Sequence, residues 1–353
     1  MSTETGSAAV SSPADVGLKR EMGFIGATWA SESSIIGSGW LFGALYAAQA
    51  AGPAAIIAWV IGGVAVVVLG LIHAELGAMY PVAGGTARFP HFAFGAVAGT
   101  SFGFFSWLQA VTVAPIECFA VMQYGQHWWN GLYNTTTGNV TSTGFVMCLV
   151  LMVIFTALNF LGIRLLAHTN STIMWWKIAI PVLTIIVLLF KFHGGNFGGS
   201  SASGGFAPTG VKGVLSAVVG AGVVFSYLGF EQADQLAGEI KNAQKNLPRA
   251  IITAVAIGTA IYILLQIVFL GAMDPSILTL SHGWTGLMCP ATGTCNPAIS
   301  NITSGPFAGL AGVVGLSWLA FILRLDAIIS PFGTGLIYQT SGSRVGYGLG
   351  RNR

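Results

Sequence analysis

Charged residues are scarce in this sequence. Its 353 residues include 14 Lys and Arg and 11 Asp and Glu, so that 7% are charged while 54% are hydrophobic. A soluble domain carries about 25% charged residues, which its solvated surface requires. The shortage excludes a soluble globular protein and indicates an integral membrane protein whose partner is the lipid bilayer. The net charge of +3 also offers no basic surface for nucleic acid.

Two common enzyme motifs are missing as well. The chain contains neither His-Glu-x-x-His nor a glycine-rich phosphate loop that ends in lysine. His73 and Glu75 come nearest to the first motif, but residues two apart on a helix point to different faces. The sequence therefore predicts that the protein is not an enzyme and has no cofactor and no metal site.

Cysteine occurs only four times. Cys118 and Cys148 lie within apolar segments, where packing accounts for them. Cys289 and Cys295 lie in a more polar segment and could form a disulfide on an oxidising side of the membrane. Their spacing alone leaves that pairing open.

What the chain has in abundance is long apolar runs. Each is about twenty residues or longer and can cross a hydrocarbon core of roughly 30 Å as a helix. The runs are continuous, without the alternation of ten-residue membrane strands, which favours helices. We place about eight of them at 24–48, 53–79, 92–124, 143–162, 173–191, 211–236, 250–272 and 305–338. The predicted fold class is an all-α integral membrane protein with about eight transmembrane helices.

Loop charges predict the orientation in the membrane. Basic residues lie before the first span and in the loops after the second, fourth and sixth spans. They are Lys19, Arg20, Arg88, Arg164, Lys241, Lys245 and Arg249. The loops on the other side, near 125–142, 192–210 and 273–304, contain no Lys or Arg. Because Lys and Arg accumulate in cytoplasmic loops, both termini are expected inside the cell. The polar residues 1–22 are expected to be a disordered cytoplasmic tail, and 341–353 a cytoplasmic end.

Two spans are interrupted at mid-membrane. The first contains Gly37-Ser38-Gly39, and the sixth contains Phe225-Ser226-Tyr227-Leu228-Gly229-Phe230-Glu231. Such breaks leave amides and carbonyls unpaired unless a ligand or a cavity satisfies them, so they are candidate binding sites. The alternative is that the glycines only let a neighbouring helix approach.

The spacing of the two breaks suggests an internal symmetry. They lie five spans apart and therefore run in opposite directions, as in inverted repeats. We expect a first repeat at 23–191 with helices 1–5 and a partial second repeat at 192–340 with helices 6–8.

Three separated blocks together resemble a known family. They are Ile36-Gly37-Ser38-Gly39 in the first span, Tyr80-Pro81-Val82-Ala83-Gly84-Gly85 after the second, and Gly229-Phe230-Glu231 in the sixth. In this order they resemble the amino acid permeases of the amino acid/polyamine/organocation superfamily. That resemblance implies a five-plus-five inverted-repeat fold with helices 1 and 6 broken, and transport of an amino acid across the cell membrane.

The resemblance also implies a substrate site between the two breaks. Its residues would be Ile36, Gly37, Ser38, Gly39, Phe225, Ser226, Leu228 and Gly229. The substrate carboxylate would meet the amides near Ser38 and Gly39, because the N-terminus of a half-helix attracts an anion. Carbonyls near Ile36 and Phe225 would meet the ammonium, and Phe225 and Leu228 would flank the side chain.

Glu231 would lie close to the gate by the same resemblance. A charged residue at that depth is costly and is a functional candidate by default. The alternative is that its carboxylate hydrogen-bonds backbone groups that the kink exposes.

Lys177 is the candidate for coupling to protons. In proton-coupled members of the family, a lysine of the fifth helix stands where relatives bind a sodium ion, and Lys177 resembles that lysine. A buried ammonium can gain and lose a proton near neutral pH. The competing interpretation is that Lys177, only a few residues into its span, reaches the cytoplasmic interface instead.

Other charged residues of the spans rank lower as site residues, namely Glu32, Glu75, Glu117, Arg324 and Asp326. Arg324 and Asp326 lie about 200° apart around a helix, so we expect separate neighbours for them. Asp234 and Glu239 are expected at the cytoplasmic boundary, in contact with solvent.

Several functions stay open at this point. The resemblance favours proton-coupled symport, with exchange as an alternative, and a channel is disfavoured because no filter or ring of like charge is visible. Two five-span repeats require ten helices, whereas about eight are predicted. We therefore also consider a truncated fragment or a membrane subunit, which would transport poorly unless a partner supplied further helices. The sequence determines neither which amino acid is the substrate nor the oligomeric state.

Overall fold

The computed structural model describes residues 19–134, 137–160, 163–198, 204–289 and 294–352. Its α-helices are α1 (Phe24–Ile35), α2 (Ser38–Ala51), α3 (Ala55–Met79), α4 (Gly85–Phe94), α5 (Ala96–Gly125), α6 (Ser142–Phe160), α7 (Ile163–Leu189), α8 (Gly210–Val219), α9 (Val223–Ser226), α10 (Gln232–Gln235), α11 (Ala243–Ala272), α12 (Pro275–Leu280), α13 (Pro297–Ser304), α14 (Pro306–Val313) and α15 (Ser317–Gly350). Two short antiparallel strands, β1 (Tyr133–Asn134) and β2 (Asn139–Val140), form a hairpin.

Each predicted span corresponds to one or more of these helices. The first span comprises α1 and α2, and the sixth comprises α8, α9 and α10, whereas α3, α5, α6, α7, α11 and α15 are the other six. In the described part of the chain, five helical stretches are long and apolar enough to cross a membrane: 38–79, 96–125, 142–160, 243–272 and 317–350. Shorter apolar stretches lie at 173–189 and 210–226. The all-α membrane fold is confirmed.

Several predicted span boundaries are wrong. The third span begins at Ala96 because Gly95, with φ of +83°, separates it from α4. The eighth is α15 at 317–350, because Gly315, with φ of +82°, lies between α14 and α15. Residues 341–350, predicted as part of the cytoplasmic end, therefore continue the last helix.

The predicted disordered tail at 1–22 is ordered at its end. The backbone N–H groups of Glu21 and Met22 both donate to the carbonyl of Glu239, each at 3.0 Å. These bonds hold the chain that enters α1 against the segment that follows α10, which corrects the prediction for Glu21 and Met22. Residues 1–18 of the predicted tail lie outside the described residues.

Small residues let the long helices approach closely. The helix α11 packs along α3, α15 packs along α5, and α1 lies against both α11 and α15. A Cβ added at Gly63 of α3 would lie 2.7 Å from the methyl group of Thr259 of α11. Van der Waals packing of this kind drives helix association in lipid. As a result α1 is enclosed, and the break that follows it lies inside the protein.

The structure also decides the cysteine pairing that the sequence left open. Cys289 and Cys295 are joined in a disulfide, and Cys118 and Cys148 are buried free thiols that pack in the core, as expected.

Candidate functional site

The first span is broken at Ile36 and Gly37, between α1 and α2. The carbonyl groups freed by the break find side-chain donors on other helices. The hydroxyl of Tyr262 donates to the carbonyl of Ile35, and the hydroxyl of Thr334 lies 3.3 Å from the carbonyl of Ile36. The predicted break is confirmed, and its exposed backbone is satisfied by α11 and α15.

The sixth span is broken in two places. After α8 the chain turns at Gly222, with φ of +81°, and after α9 it turns again at Gly229, with φ of +114°. The carboxylate of Glu231 accepts the backbone N–H of Gly229 at 2.9 Å and also lies 3.0 Å from Nε2 of Gln109. This contact matches the alternative interpretation of Glu231, which stabilises the kink. A role in gating stays a prediction.

The two breaks are in direct contact through glycine. A Cβ on Gly39 would lie 2.9 Å from Cα of Ser226, and one on Gly229 would lie 2.6 Å from the carbonyl carbon of Ser34. Gly39 is therefore a point of close helix approach, as the alternative interpretation expects, and its role in substrate binding stays a prediction.

Two spaces adjoin this contact. The void between the breaks, lined by Gly37, Gly39, Phe225 and Leu228 among others, measures only about 10 Å³, which holds about one water molecule. A cavity of about 760 Å³ lies beside it and is lined by Ser38, Gly39, Phe225 and others. This volume is within the range of about 300–1,000 Å³ that is typical of ligand sites. Of these two spaces, only the larger one can hold an amino acid unless the breaks separate.

The N-terminus of α2, where the sequence places a substrate carboxylate, already has an acidic partner. The backbone N–H of Ser38 donates to Oε2 of Glu117 at 2.9 Å, and the Ser38 hydroxyl lies 3.1 Å from Oε1. Glu117 is 3% exposed and belongs to α5. The sequence identified Glu117 as an intramembrane acid, but only the packing of α5 against α2 assigns its partner. Binding of substrate at Ser38 stays a prediction and requires this carboxylate to move.

We expect Glu117→Ala to destabilise the protein by about 1–3 kcal/mol, because the buried Ser38 N–H is left without its acceptor. The measurement is the thermal unfolding of the purified variant in detergent. Glu75→Ala is the matched control, since Glu75 is exposed on α3 and should leave the midpoint close to the wild type. Equal midpoints for the two variants would show that the Glu117 contact contributes little.

Lys177 lies inside the protein, with 0% of its surface exposed. Its ammonium donates to the carbonyl of Ser33 and, at 2.8 Å, to the hydroxyl of Thr334. It thereby joins α7 to the end of α1 and to α15. The competing interpretation, in which Lys177 reaches the cytoplasmic interface, is wrong. Its coupling to protons stays a prediction.

The charged pair on α15 faces two ways, as expected. Asp326 is buried and accepts hydrogen bonds of 2.8 Å from Nε1 of Trp176 and from the hydroxyl of Ser330. Arg324 is half-buried and lines a different cavity.

The expectation that Asp234 and Glu239 are solvated is wrong. Asp234 is 0% exposed and lies 2.8 Å from Nδ1 of His73, and Glu239 is 1% exposed and lies 2.6 Å from Nε of Arg344. Asp234 of α10 faces α3, and Glu239, in the segment after α10, faces α15, so the tertiary structure removes both carboxylates from water.

The sequence contains one match to the Gly-x-Ser-x-Gly motif of hydrolases, at 99–103. Gly99-Thr100-Ser101-Phe102-Gly103 has the Gly-x-Ser-x-Gly spacing of hydrolase nucleophiles, whose serine sits on a sharp turn from strand to helix. Here the segment lies inside α5, and Ser101 is exposed on the helix. The motif therefore has no nucleophile geometry.

Comparison with known proteins assigns the class. A family model described as amino acid permease matches residues 22–353. The chain belongs to this family, which agrees with the resemblance of its motifs and with the expectation that it is not an enzyme.

Particular relatives narrow the comparison. The glutamate/serine transporter AimA of Bacillus subtilis (strain 168) is 41% identical over 342 residues, which cover 95% of this chain and 60% of AimA. The aspartate-proton symporter of the same organism is 36% identical over 319 residues, covering 90% of this chain and 58% of the symporter. The methylthioribose transporter of that organism is 29% identical over 248 residues, covering 68% and 52%. The chain thus spans about 60% of the length of the first two relatives.

Proposed function

We propose that this chain forms the substrate-binding part of a secondary active transporter that moves an amino acid across the cell membrane together with protons. The observation that carries the proposal is the meeting of the two helix breaks beside one cavity. Gly39 and Ser226 contact each other there, and both line the cavity of about 760 Å³. The names of the relatives, a glutamate/serine transporter and an aspartate-proton symporter, support an amino acid as the substrate.

Proton coupling rests on Lys177. Its ammonium holds the first break against α15 through Ser33 and Thr334. A neutral amine donates fewer hydrogen bonds than an ammonium, so loss of the proton would loosen this junction. The name of the aspartate-proton symporter also favours protons over sodium.

The proposed orientation has both termini in the cytoplasm. It is supported by the basic loops around Lys19, Arg88 and Lys241, and by the absence of Lys and Arg from 125–142, 192–210 and 273–304. The division into a first repeat at 23–191 and a partial second repeat at 192–340 is part of the same proposal. In this arrangement the cavity beside Ser38 lies toward the outside of the cell.

The test begins with binding to the purified chain. We expect at least one labelled amino acid from a panel of glutamate, aspartate, serine and leucine to bind saturably. Uptake is then measured in proteoliposomes with and without an inward proton gradient, for this chain and for an extended chain that also carries the part of AimA that this chain does not match. Gradient-driven uptake by the extended chain would support symport. Uptake only into vesicles preloaded with amino acid would support exchange, and no binding by either folded form would reject the proposal.

A further inference from the structure

A second cavity lies away from the two breaks. It measures about 290 Å³ and is formed between the end of α5, the helices α13 and α14, and the start of α15. Its polar lining includes Gln123, Gln126, His127, Asn130, Asn301 and Arg324. Gln123 also lines the cavity of about 760 Å³, so the two spaces are neighbours.

The guanidinium of Arg324 lines this cavity without an anionic partner among the described residues. Its side chain is half-buried and makes no hydrogen bond or ion pair with any residue that the structure describes. Asp326, two residues further on, is turned to Trp176 and Ser330 instead. A guanidinium partly removed from water without an anion is costly, and its planar fork is suited to a carboxylate. The cavity therefore holds a cation that lacks its partner.

The rest of the lining suits an anion. No acidic residue lines the cavity in the part of the chain that the structure describes. The side-chain oxygen of Gln126 accepts the backbone N–H groups of Gly131, Leu132 and Tyr133 at 2.9–3.0 Å, which leaves its amide nitrogen as the group that can donate to a ligand. Amide side chains at Asn130 and Asn301 are further donors.

His127, which also lines the cavity, does not carry the charge that would bind an anion at pH 7. Partial burial and the nearby guanidinium of Arg324 lower the pKa of His127 from its ordinary value of 6.5, so that the ring is neutral at pH 7. Among the described residues that line the cavity, Arg324 is then the one charged side chain at that pH.

The surrounding face of the protein favours the approach of an anion. The segments 125–142, 192–210 and 273–304 contain a single acidic residue, Asp274. The Asp274 carboxylate accepts the backbone N–H of Ser276 at 2.8 Å at the start of α12. An anionic ligand would therefore meet little like charge on its way to Arg324.

We infer that Arg324 binds the side-chain carboxylate of an acidic amino acid in this cavity, at an outer site that precedes the cavity beside Ser38. The inference rests on the proposed function and adds to it a substrate class and a second binding position. A neutral amino acid has no side-chain carboxylate that the guanidinium of Arg324 could bind. The site therefore distinguishes glutamate and aspartate from serine.

The test compares the affinities of the purified chain for glutamate and serine in three variants. Arg324→Gln removes the charge, Arg324→Lys keeps it, and Lys212→Gln removes an exposed cation of α8 that is not part of the cavity lining. Loss of one charge-assisted pair, worth about 1.5–3 kcal/mol, corresponds to about a tenfold or greater loss of affinity. We expect that loss for glutamate in Arg324→Gln, partial recovery in Arg324→Lys, and unchanged glutamate binding in Lys212→Gln.

The outcomes separate the two hypotheses. Serine binding that stays within about twofold while glutamate binding falls tenfold supports the outer site. Equal losses for both amino acids, or no loss for either, overturn the site while the proposed function stands. A folded wild-type chain that binds no amino acid overturns both. Thermal unfolding of each variant checks that the comparison is made on folded protein.

Discussion

Replacing Lys177 with alanine is expected to abolish uptake driven by an inward proton gradient. The change removes the hydrogen bonds from the ammonium to the Ser33 carbonyl and to the Thr334 hydroxyl, which join the first break to α15. Alanine also carries no exchangeable proton on its side chain, so the rate with the gradient should fall to the rate measured without it. The measurement is initial uptake by the extended chain in proteoliposomes, with and without the gradient.

Two further substitutions distinguish the role of Lys177 in carrying a proton from its role in packing. Lys177→Met keeps the length of the buried side chain without its charge, so it should lose gradient-driven uptake with a smaller loss of thermal stability than Lys177→Ala. Lys177→Arg keeps a charge that is not released, because a guanidinium does not lose its proton in proteins. That variant should bind the amino acid without coupling to the gradient. Lys212→Ala is the exposed control, and wild-type coupling in Lys177→Arg would show that Lys177 is not the proton carrier.

The substitution Gly229→Ala is expected to cause the largest loss of stability. Gly229 has φ of +114°, which L-residues rarely adopt, and its added methyl group would lie 2.5 Å from Cβ of Ser34 and 2.6 Å from the Ser34 carbonyl carbon. Backbone strain and overpacking each cost about 1–3 kcal/mol, against a net stability of about 5–15 kcal/mol for a typical protein. The two broken spans would have to separate where they now touch. We expect a lower unfolding temperature and loss of amino acid binding.

A second glycine provides the control for this experiment. Gly312 lies in α14 and is exposed, and no described residue beyond its chain neighbours and the nearby backbone of α14 comes within 4 Å of the position that a Cβ would take. Gly312→Ala should leave stability unchanged or raise it by up to about 1 kcal/mol, because alanine favours helix over glycine. If both substitutions left the unfolding temperature unchanged, the close approach at Gly229 would not be needed for the fold.

Much of the architecture can be predicted from local pattern. Continuous apolar runs predict the spans because a helix in lipid must satisfy its backbone within one segment, whatever its neighbours are. Glycine placement predicts both breaks for the same local reason. The ends of the spans are predicted less well. Apolar sequence continues through Gly95 and Gly315, and only their positive φ angles mark where one helix stops and the next begins.

The partners of the charged residues depend on the tertiary structure. The sequence by itself determined the membrane class, the two breaks and Lys177 as a charge within the fifth span. The packing of helices decided that Glu117 meets Ser38, that Asp234 meets His73, and that Arg324 has no described partner. The physical reason is the distance along the chain between the groups that interact. A helix and its break arise from neighbours along the chain, whereas a buried charge is stabilised by atoms from segments up to hundreds of residues away, which no local pattern specifies.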